Sequence, residues 1–356
     1  MTYGIGIIGA GMIAPFHLEA IEGLPNARAV GIMDNGSGRG RAIAPQLDPA
    51  GADDLDAFLA RDDVDVIAIA TPSGTHLDAA VKAAEAGVHC IVEKPIEITL
   101  DRIDRMIAAH DAAGTALGGI FNTRYSASAQ LLKRTIDAGR FGRLTFASAV
   151  GPWWRDPDYY TSSNWRGAWV LDGGGALMNQ GIHSVDLLQW LVGSPVKSVS
   201  GRIATLAHPT IEVEDTGAAT LEFVNGALGS LACTTSMWPG HFRILTLAGT
   251  DGTAVLADDG LLFWQFREET EEDDRIRQEM LALPGAGVGA SNPSAGVDAR
   301  GHRAVFADFL KALDAGQSPA IDGHEARKAV AIIQAVYESG EKGGVPVSPQ
   351  WEKISG

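Results

Sequence analysis

Gly4-Ile5-Gly6-Ile7-Ile8-Gly9-Ala10-Gly11-Met12-Ile13-Ala14 is the stretch on which the fold turns. Residues 5–8 form an apolar run. Gly9, Gly11 and the small Ala14 then hold the spacing of a tight turn, and a helical pattern follows over 13–24. A strand that feeds a helix through such a turn lets the backbone approach a pyrophosphate and points the helix amino end at it. Outward from this stretch the same grammar repeats. Apolar strands are expected at 28–33, 64–70, 88–92 and 116–121, with helices at 39–44, 55–60, 76–86 and 100–113. Strands alternating with helices imply βαβ units and a parallel sheet.

The strand ends carry the candidate ligands. The second strand stops at Asp34, about 25 residues past the turn, where a carboxylate can accept both adenosine ribose hydroxyls and would repel a 2′-phosphate. NAD is therefore favoured over NADP, with Arg39 and Arg41 nearby as the residues that would serve NADP. Met12 and Ile13 complete the turn. Thr71-Pro72-Ser73 closes the third strand and would pass under the cofactor. His76 opens the next helix, as a packing residue or as a cofactor contact. The fourth strand, in Val88-His89-Cys90-Ile91-Val92-Glu93-Lys94-Pro95, delivers one lysine to the carboxyl edge of the sheet, where ligands of open α/β sheets bind.

Composition bounds the rest. A chain of 356 residues is long for one domain, and a division into 1–121 and 122–356 is expected, with the C-terminal helices able to pack back on the first domain. The net charge of −16 argues against nucleic acid and anionic membrane as partners. No apolar stretch approaches the ~20 residues of a membrane span, and the start shows no secretory pattern. Cys90 and Cys233 match no metal spacing, so no metal is expected. Both read as structural, reduced thiols, which suits the cytoplasm.

Beyond Asn122 the grammar changes. After a helix at 127–138 come strands joined by tight turns: 220–224 and 227–234 flank Asn225-Gly226, a strong hairpin signal, and Asp251-Gly252 and Asp259-Gly260 punctuate 244–266. An antiparallel sheet is expected here. The acidic run 268–274 reads as a solvated face or loop, and the glycine- and proline-rich 284–296 as a loop. Its Gly285-Ala286-Gly287-Val288-Gly289 is rejected as a second nucleotide turn because no strand precedes it. Helices near 305–315 and 325–339 close the chain.

Gly173-Gly174-Gly175 precedes a helix expected over 176–191, which carries Asn179 and His183 four residues apart and hence on one face, roughly 6 Å apart along the axis. Asp186, a turn further on, would orient the imidazole. Oxidising a secondary alcohol needs a base for the hydroxyl proton and donors for charge on oxygen. His183 is the candidate acid/base and Lys94 the candidate donor to the reacting oxygen. Residues 152–170 hold four of the eight tryptophans, Trp153, Trp154, Trp165 and Trp169, with Tyr159, Tyr160, Arg155, Asn164 and Arg166 interleaved. Aromatic faces suit the CH-rich faces of pyranose rings; Trp154, Tyr160, Trp165 and Arg166 are the candidate substrate contacts. The alternative is plain packing. Asn122 and Arg124 would touch nicotinamide or substrate, or Arg124 would form a salt bridge.

Taken together, the glycine turn, VDVIAIATPSGTHLDAAVKAAEAG, EKP, FNTRY, GGGALMNQGIHSVDLL and PAIDGHEARKAVAIIQAVYESG resemble the Gfo/Idh/MocA family, that of glucose–fructose oxidoreductase and inositol dehydrogenases. The resemblance implies an α/β Rossmann domain, an α+β domain with a large open, mainly antiparallel sheet, a bound nicotinamide, and dimers or tetramers. It assigns cofactor contacts to Glu93, Lys94 and Asn122 as well, and substrates among sugars, sugar derivatives and cyclitols. One departure stands out: many members have aspartate four residues before the histidine, where this chain has Asn179. An amide bonds a hydroxyl but takes no proton. Two other functions use the same parts: a glycosidase or lyase that retains its NAD, and a non-catalytic dinucleotide-binding regulator.

Overall fold

The computed structural model describes residues 2–48, 53–280 and 299–351. In chain order the elements are β1 (Tyr3–Ile8), α1 (Ala14–Glu22), β2 (Ala27–Met33), α2 (Arg39–Ile43), α3 (Leu55–Leu59), β3 (Val66–Ile69), α4 (His76–Glu85), β4 (His89–Val92), α5 (Leu100–Ala113), β5 (Leu117–Gly119), α6 (Ala127–Asp137), β6 (Leu144–Pro152), α7 (Pro157–Thr161), α8 (Trp169–Asp172), α9 (Ile182–Val192), β7 (Val196–Ala204), β8 (Thr216–Phe223), β9 (Leu228–Thr234), β10 (Ile244–Gly249), β11 (Gly252–Ala257), β12 (Gly260–Phe266), α10 (Glu271–Met280), α11 (Ala299–Ala315) and α12 (Gly323–Glu341). They fall into two compact units, Met1–Asn122 with Asp298–Arg327, and Thr123–Val297 with Lys328–Gly356. The first unit is thus made from two stretches of chain.

That first unit holds a parallel sheet in the order β2-β1-β3-β4-β5. Helices cover parallel sheets on both faces, which is why β1 and β3 are unbroken apolar runs, buried at every position. Thr99 caps α5 by accepting the N–H of Arg102, and Gly114 ends it in the left-handed region. From the far end of the chain α11 returns to pack on α1, with His302 and Phe306 against the ring of His17.

The second unit is built on a seven-stranded sheet, β12-β11-β10-β6-β9-β8-β7. Pairing is antiparallel except between β6 and β9, which run parallel at the centre. A parallel pair needs a long crossover; here α7 to α9 and the β7–β8 hairpin supply it. Asn225-Gly226 turns β8 into β9 as expected, with Gly226 at φ 84°. One face of the sheet carries α9. The other leaves Phe146, Leu228 and Phe263 41%, 58% and 42% exposed.

Two expectations change. The helix at 176–191 is not one α-helix, because residues Ala176–Gly181 form a π-helical turn before α9 begins. The turn presses on β9 so closely that a Cβ at Gly181 would lie 2.5 Å from Sγ of Cys233. The wider turn also means that α-helical spacing does not describe Asn179 and His183. The acidic run is not all solvated: it enters α10, and Asp273 is fully buried, paired with Arg140 at 2.7 Å and with the indole N–H of Trp264 at 2.8 Å. The second sheet is mainly antiparallel, as expected, with β6 and β9 parallel within it. The rejected turn at 285–289 lies outside the described residues. Both cysteines are free and buried, and burial pushes both thiols up, Cys233 to about 12. Among the described residues no helix is long and apolar enough to cross a membrane.

Candidate active site

In the first unit β1 delivers the chain to Gly9, whose φ of 108° suits glycine and whose added Cβ would lie 2.6 Å from the carbonyl oxygen of Ala70. At Gly11 a Cβ would meet only that oxygen, at 3.9 Å, so the turn keeps open space in front of α1. Met12 is exposed and Ile13 half-buried at the same edge. The amide N–H of Gly9 is tied to the carbonyl of Met33 at 2.8 Å, which holds the turn beside the end of β2. There Asp34 accepts the N–H of Gly40 at 2.7 Å and that of Gly36 at 2.8 Å. The Gly40 bond above all holds its carboxyl below the usual range, so it is a fixed anion. Space over a glycine turn with a carboxylate at the next strand end fits a dinucleotide.

Thr71 and Pro72 are half-buried, and Ser73 is buried. His76 is also buried; its Nε2 faces the carbonyl of Thr71 at 3.0 Å and its Nδ1 those of Pro95 and Ile96 at 3.1 and 3.2 Å. The imidazole therefore staples the two segments that follow β3 and β4.

Lys94 leaves β4 half-buried, before a cis bond to Pro95. Its own N–H donates to Oε2 of Glu93 at 3.1 Å. Oε1 of the same carboxylate meets Nε2 of His17 at 2.7 Å and Nε2 of His302 at 3.3 Å. Burial opposes charge on Glu93, and the donors overcome it, holding its carboxyl well below the usual carboxylate range. These three groups lie within 4.8 Å of one another, a spacing a cation could bridge, and here they are joined by hydrogen bonds. Asn122 reaches Nδ1 of His302 at 3.5 Å. His17 and His302 were not singled out from the sequence, since nothing local marks either.

In the second unit His183 stands half-buried at the second position of α9, and Asn179 is 7% exposed in the π-helical turn before it. Beneath that turn Glu214 is buried, accepting the N–H of Gly175 (2.9 Å) and of Leu177 (2.8 Å) and the hydroxyl of Tyr337 (2.9 Å). Burial outweighs these donors and pushes its carboxyl up to about 7. Asp186 is held by Arg124, Nε to Oδ2 at 2.7 Å and Nη2 to Oδ1 at 2.5 Å, both side chains buried. The Arg124 guanidinium also lies 5.2 Å from the ring centre of Trp190.

Within 152–170 the aromatic residues divide. Arg166 stacks on Tyr159 at 4.3 Å and lies 5.3 Å from Trp165. Trp154 packs by His208 and Trp238, its indole N–H on Asp156. Tyr160 is buried, its hydroxyl 2.8 Å from that of Thr235. Asp172, the last residue of α8, meets Asn179 at 2.5 Å. Asp172 stands directly before the triple glycine and is not among the residues that the sequence singles out.

Comparison with known proteins agrees with this geometry. Residues 3–119 match the model of an oxidoreductase family with an NAD-binding Rossmann fold, and residues 129–255 that of the GFO/IDH/MocA C-terminal domain. The WlbA dehydrogenase from Bordetella pertussis, solved in complex with NADH and UDP-GlcNAcA, is 34% identical with a TM-score of 0.85, over 98% of this chain and 97% of that one. The scyllo-inositol 2-dehydrogenase (NAD(+)) of Bacillus subtilis is 27% identical over 70% of this chain and 72% of its own. The myo-inositol 2-dehydrogenase of Thermotoga maritima is 24% identical over 95% and 96%. Family models that match 3–119 and 129–255, with a likeness at 34% identity over 98% of the chain, make this chain a member of the Gfo/Idh/MocA family of NAD-binding oxidoreductases.

Proposed function

We propose that the chain oxidises a secondary hydroxyl of a sugar, sugar derivative or cyclitol, or reduces the matching ketone, and that a nucleotide-linked sugar acid is its substrate class. The observation that carries this is the full-length likeness, at 34% identity, to a dehydrogenase solved with NADH and UDP-GlcNAcA. The cationic, aromatic surface around Arg166, Trp165 and Tyr159 supports it, because guanidinium groups suit carboxylate and phosphate while ring faces suit pyranose.

NAD, when bound, supplies the hydride acceptor; Gly9, Gly11, Met12, Ile13, Asp34, Thr71, Pro72 and Ser73 are assigned to holding it, with Glu93, Lys94 and Asn122 at its reactive end. Lys94 is assigned to hydrogen-bond the reacting oxygen, His183 to take its proton, and Asn179 to position the hydroxyl. Arg124 is assigned to supporting α9 through Asp186. We place the enzyme in the cytoplasm, where buried free thiols stay reduced. It is proposed to assemble as a homodimer or homotetramer through the exposed sheet face of Phe146, Leu228 and Phe263.

NADH formation with NAD and a panel of UDP-GlcNAcA, free sugars and inositols tests the substrate class. Turnover with the nucleotide sugar acid is expected. Turnover with inositols alone rejects it. Lys94→Ala and His183→Ala are each expected to lose on the order of 10² or more in kcat while still binding NAD. Near-normal kcat in either variant removes that residue from its role.

A further inference from the structure

Four side chains of the second unit form one directed run of hydrogen bonds from a cation to an anion. Arg155, 3% exposed, donates from Nε and Nη2 to Oε1 of Gln180, at 3.1 and 2.7 Å. Nε2 of Gln180 donates to Oδ1 of Asn179 at 2.8 Å and to the hydroxyl oxygen of Tyr159 at 2.7 Å. Nδ2 of Asn179 donates to Oδ1 of Asp172 at 2.5 Å, and Oδ2 of Asp172 accepts the N–H of Gly167 at 2.8 Å. Asp172 is 1% exposed. A guanidinium has only donors and an ionised carboxylate only acceptors, so the two ends fix the sense of both amides between them. Turning either amide over would set donor against donor or oxygen against oxygen, in a place where an unmet polar group is costly.

From this geometry we propose that Asp172 is a positioning residue that, with Arg155 and Gln180, orients the Asn179 amide and requires an amide at position 179. The kinetic part rests on the proposed function of the Asn179–His183 segment; the hydrogen-bond part does not. An aspartate at 179 would bring a second carboxylate against Asp172, and two carboxylates in that contact cannot both ionise. Exchanging the two residues restores these three bonds. An asparagine at 172 would take the Gly167 N–H on its oxygen and donate to the carboxylate at 179, whose other oxygen still accepts from Gln180.

The test compares wild type, Asn179→Asp, Asp172→Asn and the double exchange, by thermal unfolding from pH 5 to 8 and by kcat and KM for the sugar. In Asn179→Asp one folded carboxyl is raised above its unfolded value. Its deficit is therefore absent at low pH, opens as pH rises through the ordinary carboxylate range, and stays open above the raised value. A Tm about 5 °C or more below wild type at pH 8, closing toward pH 5, is expected. The other charged and titratable groups around the pair are Arg155, Arg166, Tyr159, Tyr160 and Tyr337, with Glu214 bonded to Tyr337 and His183 further along the helix. All are present in the four proteins, and the double exchange, which keeps the net charge of the pair, controls for their coupling to the carboxylate added in Asn179→Asp.

The double exchange is expected to recover most of the lost Tm, a coupling that unrelated sites do not show. Each single variant is expected to lose about tenfold or more in kcat, as displaced positioning groups do. Equal Tm of Asn179→Asp and wild type across the pH range, or a double variant no better than the summed singles, overturns the proposal. Coupled Tm with unchanged kcat in both single variants overturns the positioning role. A wild-type enzyme with no turnover counts against the proposed function instead, and the Tm comparison still decides the rest.

Discussion

Nε2 of His17, on α1, lies 2.7 Å from Oε1 of Glu93, at the end of β4. The bond ties the helix behind the glycine turn to the residue that precedes Lys94, and His302 joins the same oxygen at 3.3 Å. A glutamine at 93 has one oxygen for these donors and would turn an N–H₂ toward either the imidazoles or the Lys94 N–H. Leaving one such buried donor unmet costs about 1–3 kcal/mol. Glu93→Gln is therefore expected to lower Tm by several degrees, with a fall in kcat because the backbone at Lys94 loses its acceptor. Thermal unfolding and steady-state kinetics check both; an unchanged Tm shows that the carboxylate is not holding the site.

Cofactor choice follows from Asp34. Its charge is fixed by the N–H groups of Gly36 and Gly40, and in the proposed site this anion faces the adenosine ribose. A 2′-phosphate there meets like charge. kcat/KM is expected to be higher with NAD than with NADP, and Asp34→Ser is expected to narrow the gap. Equal efficiency of wild type with both cofactors would sink the argument.

Arg124 and Asp186 separate stability from catalysis. Breaking a buried ion pair by removing one partner costs about 3–5 kcal/mol, because the other charge stays buried. Asp186→Asn is expected to lose that much in denaturant unfolding, with KM for the sugar near its original value. A tenfold rise in KM with full stability would instead place Arg124 on the substrate.

Glu214 makes stability depend on pH in a defined direction. Its folded value, about 7, lies above the ordinary 4.5, so the unfolded chain releases this proton first. Its contribution is whole below the unfolded value and falls away as pH rises toward 7, in total by about 3 kcal/mol at 1.36 kcal/mol per unit. Unfolding free energies of wild type and Glu214→Gln at pH 5 and pH 8 isolate it. Wild type is expected to lose ground to the variant at pH 8; a constant difference would refute the shift.

What the sequence determined by itself was the local part. Alternating strand and helix periods, the glycines of the first turn, Asn225-Gly226 and the placement of Lys94 and His183 all act over a few residues, so they can be read without the fold. The tertiary structure decided what depends on distant partners. His302 reaches Glu93 across 209 positions of sequence. The π-helical turn arises where Gly181 meets β9, and the parallel β6–β9 pair needs the crossover between them. Asp273 is buried only because Arg140 and Trp264 meet it. Asp172 and Asn179 are seven residues apart, close enough to have been noticed. Their bond still had no sequence signature, because a Gly173 in the left-handed region and a widened turn bring the carboxylate and amide together. Periodicity reports which way a residue faces; which polar group it meets is settled by packing.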